Sequence, residues 1–501
     1  MDSLGPENWV SRFTTGQEMS FLLLVADPII TNDPSTRALQ GRLVSSWSFQ
    51  KNGSDNVWDF KMPSNIVANE GKGAFTSADI QFNFSQMLMT DAKSSLSPVV
   101  RLLVDSDIKN FEIVSPTEFK LHSTKFDAAS PASLALGTAV AVMQPKAYSE
   151  AAGDSGYNSH PIGTGSYIFK AGQKQSKYTV EAVPNHWRKT ANVQTVNLMV
   201  VPEVATRLAM LKTGQVDMGT MNKQSKSQLT GDLRPYSIRN QSLSFVALGG
   251  MYYNRPDKNC TTCPWVGFTD KPVKVRQALT LAIDRQAIAD KLLFGEATLA
   301  ALPFVWPPGP YSYVDPSWQV PAYDPAQAKS LLAQAGYPNG FSIQFPILSL
   351  GGFPEMPDVA QAVASYWGAI GIDVKQQAMD FSPTWVTNMQ NRTTAGYAWV
   401  LFNQIKDDPF PDLRRLFSKD AVVDYLEDPK VDEYIAKAAN ETDPAKRAQF
   451  SKELGQYFID QRIGIPLFGI NGIWGLNSKV VSWNNITGFQ YLGNVETIAM
   501  K

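Results

Sequence analysis

The stretch 273–293, VKVRQALTLAIDRQAIADKLL, constrains this chain more than any other. Val275, Leu279, Ala282 and Ile283 recur at helical spacing, and Ala278, Ala287, Ile288, Leu292 and Leu293 widen the apolar stripe. Arg276, Asp284, Arg285 and Asp290 fall largely outside it. Pro272 stands before the start, where a missing N–H costs little, and Gly295 stands past the end, where a left-handed cap is common. The spacing therefore predicts one amphipathic core helix. After it the chain alternates, with helices at 325–335 and 359–370 and strands at 341–348 and 372–378, which is the order of an α/β lobe. Upstream, a strand at 195–201, a helix at 203–211 and a short strand at 215–219 read as a β–α–β unit. Between the two regions lies a long apolar strand, 244–253, interrupted by Gly249 and Gly250.

The remaining segments are shorter. Alternation at 57–62 predicts a half-buried strand, and 108–114 and 118–122 read as two strands joined by a turn at Pro116. Thr76 followed by Asp79 predicts a capped helix start, with the helix running through Phe84 and Met87. Residues 151–160 read as a Gly/Ser-rich loop. Gly163 and Gly165 follow it, but no Lys-Ser/Thr pair succeeds them at phosphate-loop spacing, so they read as a tight turn into a strand at Tyr167. A strand at 399–403, helices at 431–439 and 444–461 and an apolar strand at 465–474 complete the chain.

A length of 501 residues suggests two to four domains or lobes, and a net charge of −1 gives no reason to expect nucleic acid or an anionic membrane as partner. No apolar run is long enough to span a bilayer, and no signal peptide is visible, so an export signal is expected to have been removed ahead of Met1. The two cysteines, Cys260 and Cys263, sit in a loop of Asn, Thr and Pro. A redox pair would need a strand–CxxC–helix setting and zinc would need two more ligands, whereas a small structural disulfide in an oxidising compartment needs neither. Hydrolytic chemistry finds little support. The histidines, His122, His160 and His186, stand apart, and there is no Gly-x-Ser-x-Gly elbow. Paired carboxylates of a glycosidase stay open, and repeats that would suggest a structural role are not evident.

Several segments taken together carry a resemblance. They are FTSADI at 75–80, HPIGTGSY at 160–167, the stretch 201–219, VRQAL at 275–279 through AIDR at 282–285, YDP at 323–325 through LLAQAGY at 331–337, and GIDV at 371–374. In that order they resemble the periplasmic (extracellular) solute-binding proteins of ABC transporters, family 5 or cluster C, the class with dipeptide-, oligopeptide- and nickel-binding members. The resemblance implies an α/β, two-lobed periplasmic binding protein fold of type II (Venus-flytrap) with an extra subdomain in the first lobe. Two crossing strands, near 245–254 and 465–474, would join the lobes, and the ligand would sit in the cleft between them. The implied division is lobe I at 1–46 and 164–250, its extra subdomain at 47–163, lobe II at 251–468, and a C-terminal return to lobe I at 469–501.

The resemblance also implies a monomeric carrier with no cofactor, no bound metal and no catalytic residue, located in the periplasm or outside the cell. It would capture a small ligand and deliver it to ABC permease subunits. A peptide or amino-acid conjugate is the first expectation, an oligosaccharide or opine-like sugar conjugate the second and a metal chelate the third. The stretch 397–415 matches the loop that carries an aspartate for the ligand's amino terminus in peptide-binding relatives. Aligned on Pro409, that position is Ile405 and Phe402 replaces a tryptophan, while a gap would recruit Asp407 or Asp408. The candidate contacts are therefore Trp9, Arg12, Phe13 and Met19 near the start, Tyr252, Tyr253 and Asn254 after the long strand, and Trp385, Trp399, Phe402, Asn403, Gln404, Asp407 and Asp408 around the loop. Aromatic side chains with polar tips suit such a role. Arg12 or Arg414 would suit a ligand carboxylate, and Trp306 is a further aromatic option.

Overall fold

The computed structural model describes residues 1–501 except 15, 17, 95, 136–141, 304–314, 350–352, 405–407, 420, 422–423 and 490, and the side chains of 382, 383 and 404. It divides into two compact units. The first holds residues 1–221, 225–238 and 473–501, and the second holds 222–224 and 239–472.

The first unit has two main cores. One is built on a four-stranded antiparallel sheet in the order Ser46–Asn52, Asp55–Lys61, Glu118–Ser123, Phe111–Ser115. Phe60, Phe119 and Phe111 stack along it at centroid distances of 5.0 and 4.9 Å, and Phe84 meets Phe111 edge-on at 5.4 Å. Phe84 comes from helix Ser77–Leu88, whose start is fastened where the sequence predicts: Asp79 Oδ2 accepts the Thr76 backbone N–H at 2.6 Å. The other core gathers helix Met19–Val25, the three strands Tyr167–Gln173, Lys177–Ala182 and Thr195–Met199, and the C-terminal residues Trp474, Trp483, Ile486, Leu492 and Ile498. Gly163 and Gly165 lie against that helix. A Cβ on either would stand 2.4 Å from a backbone oxygen, of Val25 and Leu24 respectively, so close approach requires both glycines.

Two expectations fail in this unit. Residues 151–160 are not a loop but the greater part of helix Lys146–Ser159, broken only at Gly153 with φ 63°. Its glycines suggest a loop, but Tyr148 and Tyr157 pin it by donating to the carbonyls of His160 at 2.7 Å and Ile162 at 3.0 Å. The stretch 195–221 is not a β–α–β unit of one sheet. Thr195–Met199 pairs with Lys177–Ala182, whereas Met218–Met221 pairs antiparallel with Ile465–Asn477 in another sheet. Each strand finds a partner elsewhere in the chain, which local order does not reveal.

The second unit holds the α/β alternation. Strands Ser342–Ser349 and Asp373–Asp380 pair in parallel, connected by helix Met356–Ala369, and helix Pro325–Gln334 precedes them. Strand Leu233–Leu248 starts earlier than predicted and stops before Gly249, and its second half pairs antiparallel with Ala398–Gln404. A Cβ on Gly249 would lie 2.1 Å from Thr394 O. Apart from the short excursion at 222–224, the passages between units fall at 238/239, within Leu233–Leu248, and at 472/473, within Ile465–Asn477.

The stretch 273–293 is two helices, Asp270–Leu281 and Arg285–Lys291, rather than one. Asp284 breaks it: with φ −79° and ψ 87° it leaves the helical region, and its side chain accepts the Ala287 N–H at 2.9 Å to cap the second helix. Val275, Leu279, Ile283 and Ile288 are buried in the core as predicted. Arg276 and Arg285 are not outside it. They are 0% and 2% exposed. Arg276 donates from Nε to Gln461 O at 2.9 Å and from Nη1 to Trp265 O at 2.5 Å and Gly267 O at 2.8 Å. Arg285 donates to the carbonyls of Pro466 at 2.7 Å, Thr280 at 3.0 Å and Ile283 at 3.1 Å. Burial draws both pKa values down to about 10, far enough above neutrality for both to stay charged. Charged donors on backbone carbonyls offset that burial.

Candidate functional site

The candidate residues of the second unit lie on one frame. Strand Ala398–Gln404 sets Trp399 opposite Ala247, Phe402 opposite Ser244 and Asn403 opposite Leu243. Trp399 and Trp385 are both fully buried, with ring centroids 5.1 Å apart, and Trp399 meets Tyr425 at 6.1 Å. Neither indole N–H has an acceptor among the described residues. A buried donor left so costs about 1–3 kcal/mol, so each calls for an ordered water or another oxygen. Phe402 is buried edge-on to Phe353 at 5.7 Å. Asn403 is half-buried and bonds the helix that follows, donating to Asp412 Oδ2 at 3.4 Å. The side chain of Gln404 and all of Ile405 and Asp407 lie outside the described residues, as does Trp306.

Asp408 is neither a solvated turn nor an open anchor. It is 1% exposed and forms an ion pair with Arg447, itself fully buried. Its other oxygen accepts the Phe410 N–H at 3.0 Å and so caps helix Pro409–Phe417. Arg447 also donates to Ala438 O and lies 5.5 Å from the Phe410 ring centroid. One carboxylate thus starts one helix and fastens another, Pro444–Gln461.

Tyr252, Tyr253 and Asn254 follow the long strand. Tyr252 is buried, its hydroxyl 2.7 Å from Thr394 Oγ1, and burial pushes its phenol well above the usual range. Tyr253 accepts the Gly267 N–H at 2.9 Å and packs on Phe268 at 4.5 Å, while Asn254 donates to Asp432 at 2.8 Å. The loop beyond them is closed by a disulfide between Cys260 and Cys263, and Cys260 N–H donates to Gly250 O at 2.8 Å. Nearby, Asp424 and Glu427 are fully buried around Arg392, with contacts of 3.3 and 3.0 Å, and Arg255 reaches Glu427 at 2.6 Å. Burial pushes Asp424 up to about 9, against the pull of Arg392, and the neighbouring Glu427 adds to the rise. No sequence signal joins Arg392 and Arg255 to these two carboxylates, which lie 32 to 172 residues from them along the chain.

In the first unit, Trp9 is buried between Phe21 at 4.2 Å and Tyr178 at 5.2 Å, and Met19 is buried at the start of its helix. The Arg12 fork is engaged by Asp154, with Gln86 accepting at 2.9 Å, and Phe13, half-buried, lies 4.4 Å from the guanidinium. A ligand carboxylate at Arg12 would have to displace Asp154. The histidines are all occupied. His122 lies between Asp55 at 2.8 Å and Glu112 at 3.0 Å, His160 faces Glu70 at 2.9 Å, and His186 bonds Thr164 O at 2.7 Å. Among the described residues no three His, Cys, Asp or Glu side chains group as a metal site, and no helix is long and apolar enough to cross a membrane.

Comparison with known proteins agrees with this frame. The model of the bacterial extracellular solute-binding proteins, family 5, matches residues 38–423. Heme-binding protein A of Haemophilus influenzae is 24% identical over 425 residues, which cover 81% of this chain and 74% of that protein. The glutathione-binding protein of Salmonella choleraesuis is 26% identical over 404 residues, 76% of this chain and 72% of its own. The dipeptide-binding protein of Pseudoalteromonas sp. SM9913, solved in complex with Met-Leu, superposes with a TM-score of 0.73 at 20% identity, covering 98% of this chain and 97% of that one. That likeness establishes the α/β, two-lobed periplasmic binding fold. The match over residues 38–423 settles the rest: the chain belongs to family 5 of the bacterial extracellular solute-binding proteins.

Proposed function

We propose that this chain, the binding component of an ABC importer, captures a peptide-like amino-acid conjugate outside the cytoplasmic membrane and hands it, as a monomer and without altering it chemically, to its permease subunits. The relatives support the ligand class, since one is named for glutathione and another was solved with a dipeptide. The commitment of Asp408 carries the finer reading. Its carboxylate is spent on Arg447 and on the N–H of Phe410, so it does not serve a free ligand amine. Recognition then rests on neutral polar and aromatic groups, with Asn403 and Gln404 at one end of strand Ala398–Gln404 and Tyr253, beyond the Leu248–Ala398 pair at its other end, as separate contacts to test, and on Asp407 if an amine is read at all. A conjugate whose amine is displaced from the peptide backbone suits such a site better than an ordinary dipeptide. Ligand-favoured closure would supply the signal to the permease.

The test is mass spectrometry of whatever denaturation releases from the purified protein, followed by melting shifts with glutathione, an ordinary dipeptide, an opine and a neutral oligosaccharide. The expected result is a saturable shift with the conjugate that exceeds the dipeptide's. A shift with the oligosaccharide alone would refute the ligand class, and turnover of any of these without a saturable shift would refute the carrier reading.

A further inference from the structure

The first unit contains a cavity of about 210 Å³ that includes none of the candidate residues of that unit. Val196, Leu198, Met210, Met218 and Trp474 line it, and Arg207 stands in its wall. The walls come from strand Thr195–Met199, helix Val204–Lys212, strand Met218–Met221 and the C-terminal segment, so four rigid pieces of one unit meet there. An apolar cavity of about 150 Å³ already accepts benzene, so this one has room for a ring or a short chain with a polar end. Methionine thioethers adapt to irregular apolar shapes, which favours a flexible or variable tail over one rigid outline.

Arg207 supplies the polar end. It is 5% exposed. Nε donates to Thr220 O at 2.8 Å, and Nη1 donates to Val201 O and Pro202 O at 2.6 Å each. Those bonds fix the plane of the guanidinium, while Nη2 has no hydrogen-bond partner among the described residues. Burial draws the cation's pKa down, with Asp2 and Glu203 only partly restoring it, so a further anion would be welcome. The one carboxylate in the lining, Asp217, is held elsewhere: it accepts from Asn477 Nδ2 at 2.9 Å and lies 3.6 Å from Lys479 Nζ. A preset cation at the edge of an apolar pocket is the arrangement that recognises an apolar carboxylate.

We propose that this cavity is a second small-molecule site, separate from the site of the transported ligand, and that it takes a short alkyl or aryl carboxylate with its tail among Met210, Met218 and Trp474 and its carboxylate on Arg207. Occupancy would brace the first unit without involving any residue of the second. The reading does not depend on what the importer carries.

The test uses the full chain labelled with ¹³C at the methionine methyl groups. Octanoate is expected to shift the Met210 and Met218 methyl signals saturably. Octanamide, of the same shape without the charge, should bind about tenfold more weakly, the usual value of one charge-assisted hydrogen bond. Met210→Trp, which fills the cavity while keeping Arg207, should abolish the response. No shift at millimolar octanoate, or an undiminished response in Met210→Trp, overturns the site. Equal affinity for octanoate and octanamide overturns the carboxylate. If Met210→Trp does not fold, the two ligands compared on the unaltered chain still decide the matter.

Discussion

Replacing Asp408 by alanine separates a structural role from a ligand role. The substitution removes the Asp408 carboxylate from the fully buried Arg447 guanidinium, which stays beside Ala438 O and the Phe410 ring. Breaking a buried ion pair from one side costs about 3–5 kcal/mol. Losing the cap of helix Pro409–Phe417 accounts for about 1 kcal/mol of the same interaction, so the two are not added in full. A net loss near 4 kcal/mol is a large part of the roughly 5–15 kcal/mol that holds a domain folded. At about 2–4 °C per kcal/mol for a unit of this size, Tm should fall by roughly 8–16 °C in calorimetry. Asp408→Asn keeps the acceptor for Phe410 N–H and loses only the charge, so its fall should be smaller. The pair Asp408→Leu with Arg447→Met should regain most of the loss, because replacing both partners removes the uncompensated charge. An Asp408→Ala protein melting within about 2 °C of the parent would refute the buried pair. Selective loss of an amine-bearing ligand at unchanged Tm would return Asp408 to the binding site.

Two further outcomes follow from the second unit. Arg276→Met keeps the volume but strips donors from the carbonyls of Gln461, Trp265 and Gly267, so the urea midpoint should fall by about 2–4 kcal/mol equivalent, read by circular dichroism. Asp424, raised to about 9 in the folded chain, holds a proton there that the unfolded chain has already released above its ordinary pKa of 3.8, so its contribution to stability declines as pH rises from about 4 towards 9. Asp424→Asn should flatten that slope and be the more stable protein at pH 8, and parallel urea midpoints at pH 5 and pH 8 for the two proteins would contradict it.

What could be read from the residues was mostly local. The Thr76–Asp79 start, the strand–helix–strand order around helix Met356–Ala369 and helix Pro444–Gln461 each rest on local pattern, and each was legible. So was the strand bearing Trp399 and Phe402. What periodicity misses is where a long polar side chain finds its partner. Arg276 and Arg285 read as solvent-facing because they sit off the apolar stripe, yet their acceptors are carbonyls that lie as many as 185 residues away. Asp408 read as a candidate ligand contact, and the cation that claims it comes from another helix. At the candidate site the sequence is silent on which side chains are already engaged, as Arg12 is by Asp154 and Asn254 by Asp432.

The division of the chain has a consequence for its biosynthesis. The body of the second unit, residues 239–472, is one unbroken stretch, whereas the first unit is closed by 473–501. Trp474, Leu476, Trp483, Ile486, Leu492 and Ile498 all enter a core begun by Leu4, Trp9 and Phe21. A chain emerging from its amino end has every residue of the second unit in hand while the first still lacks a wall. The half made first is therefore finished last, its apolar interior open until the final residues arrive, and that interval is when a holding chaperone has most to cover.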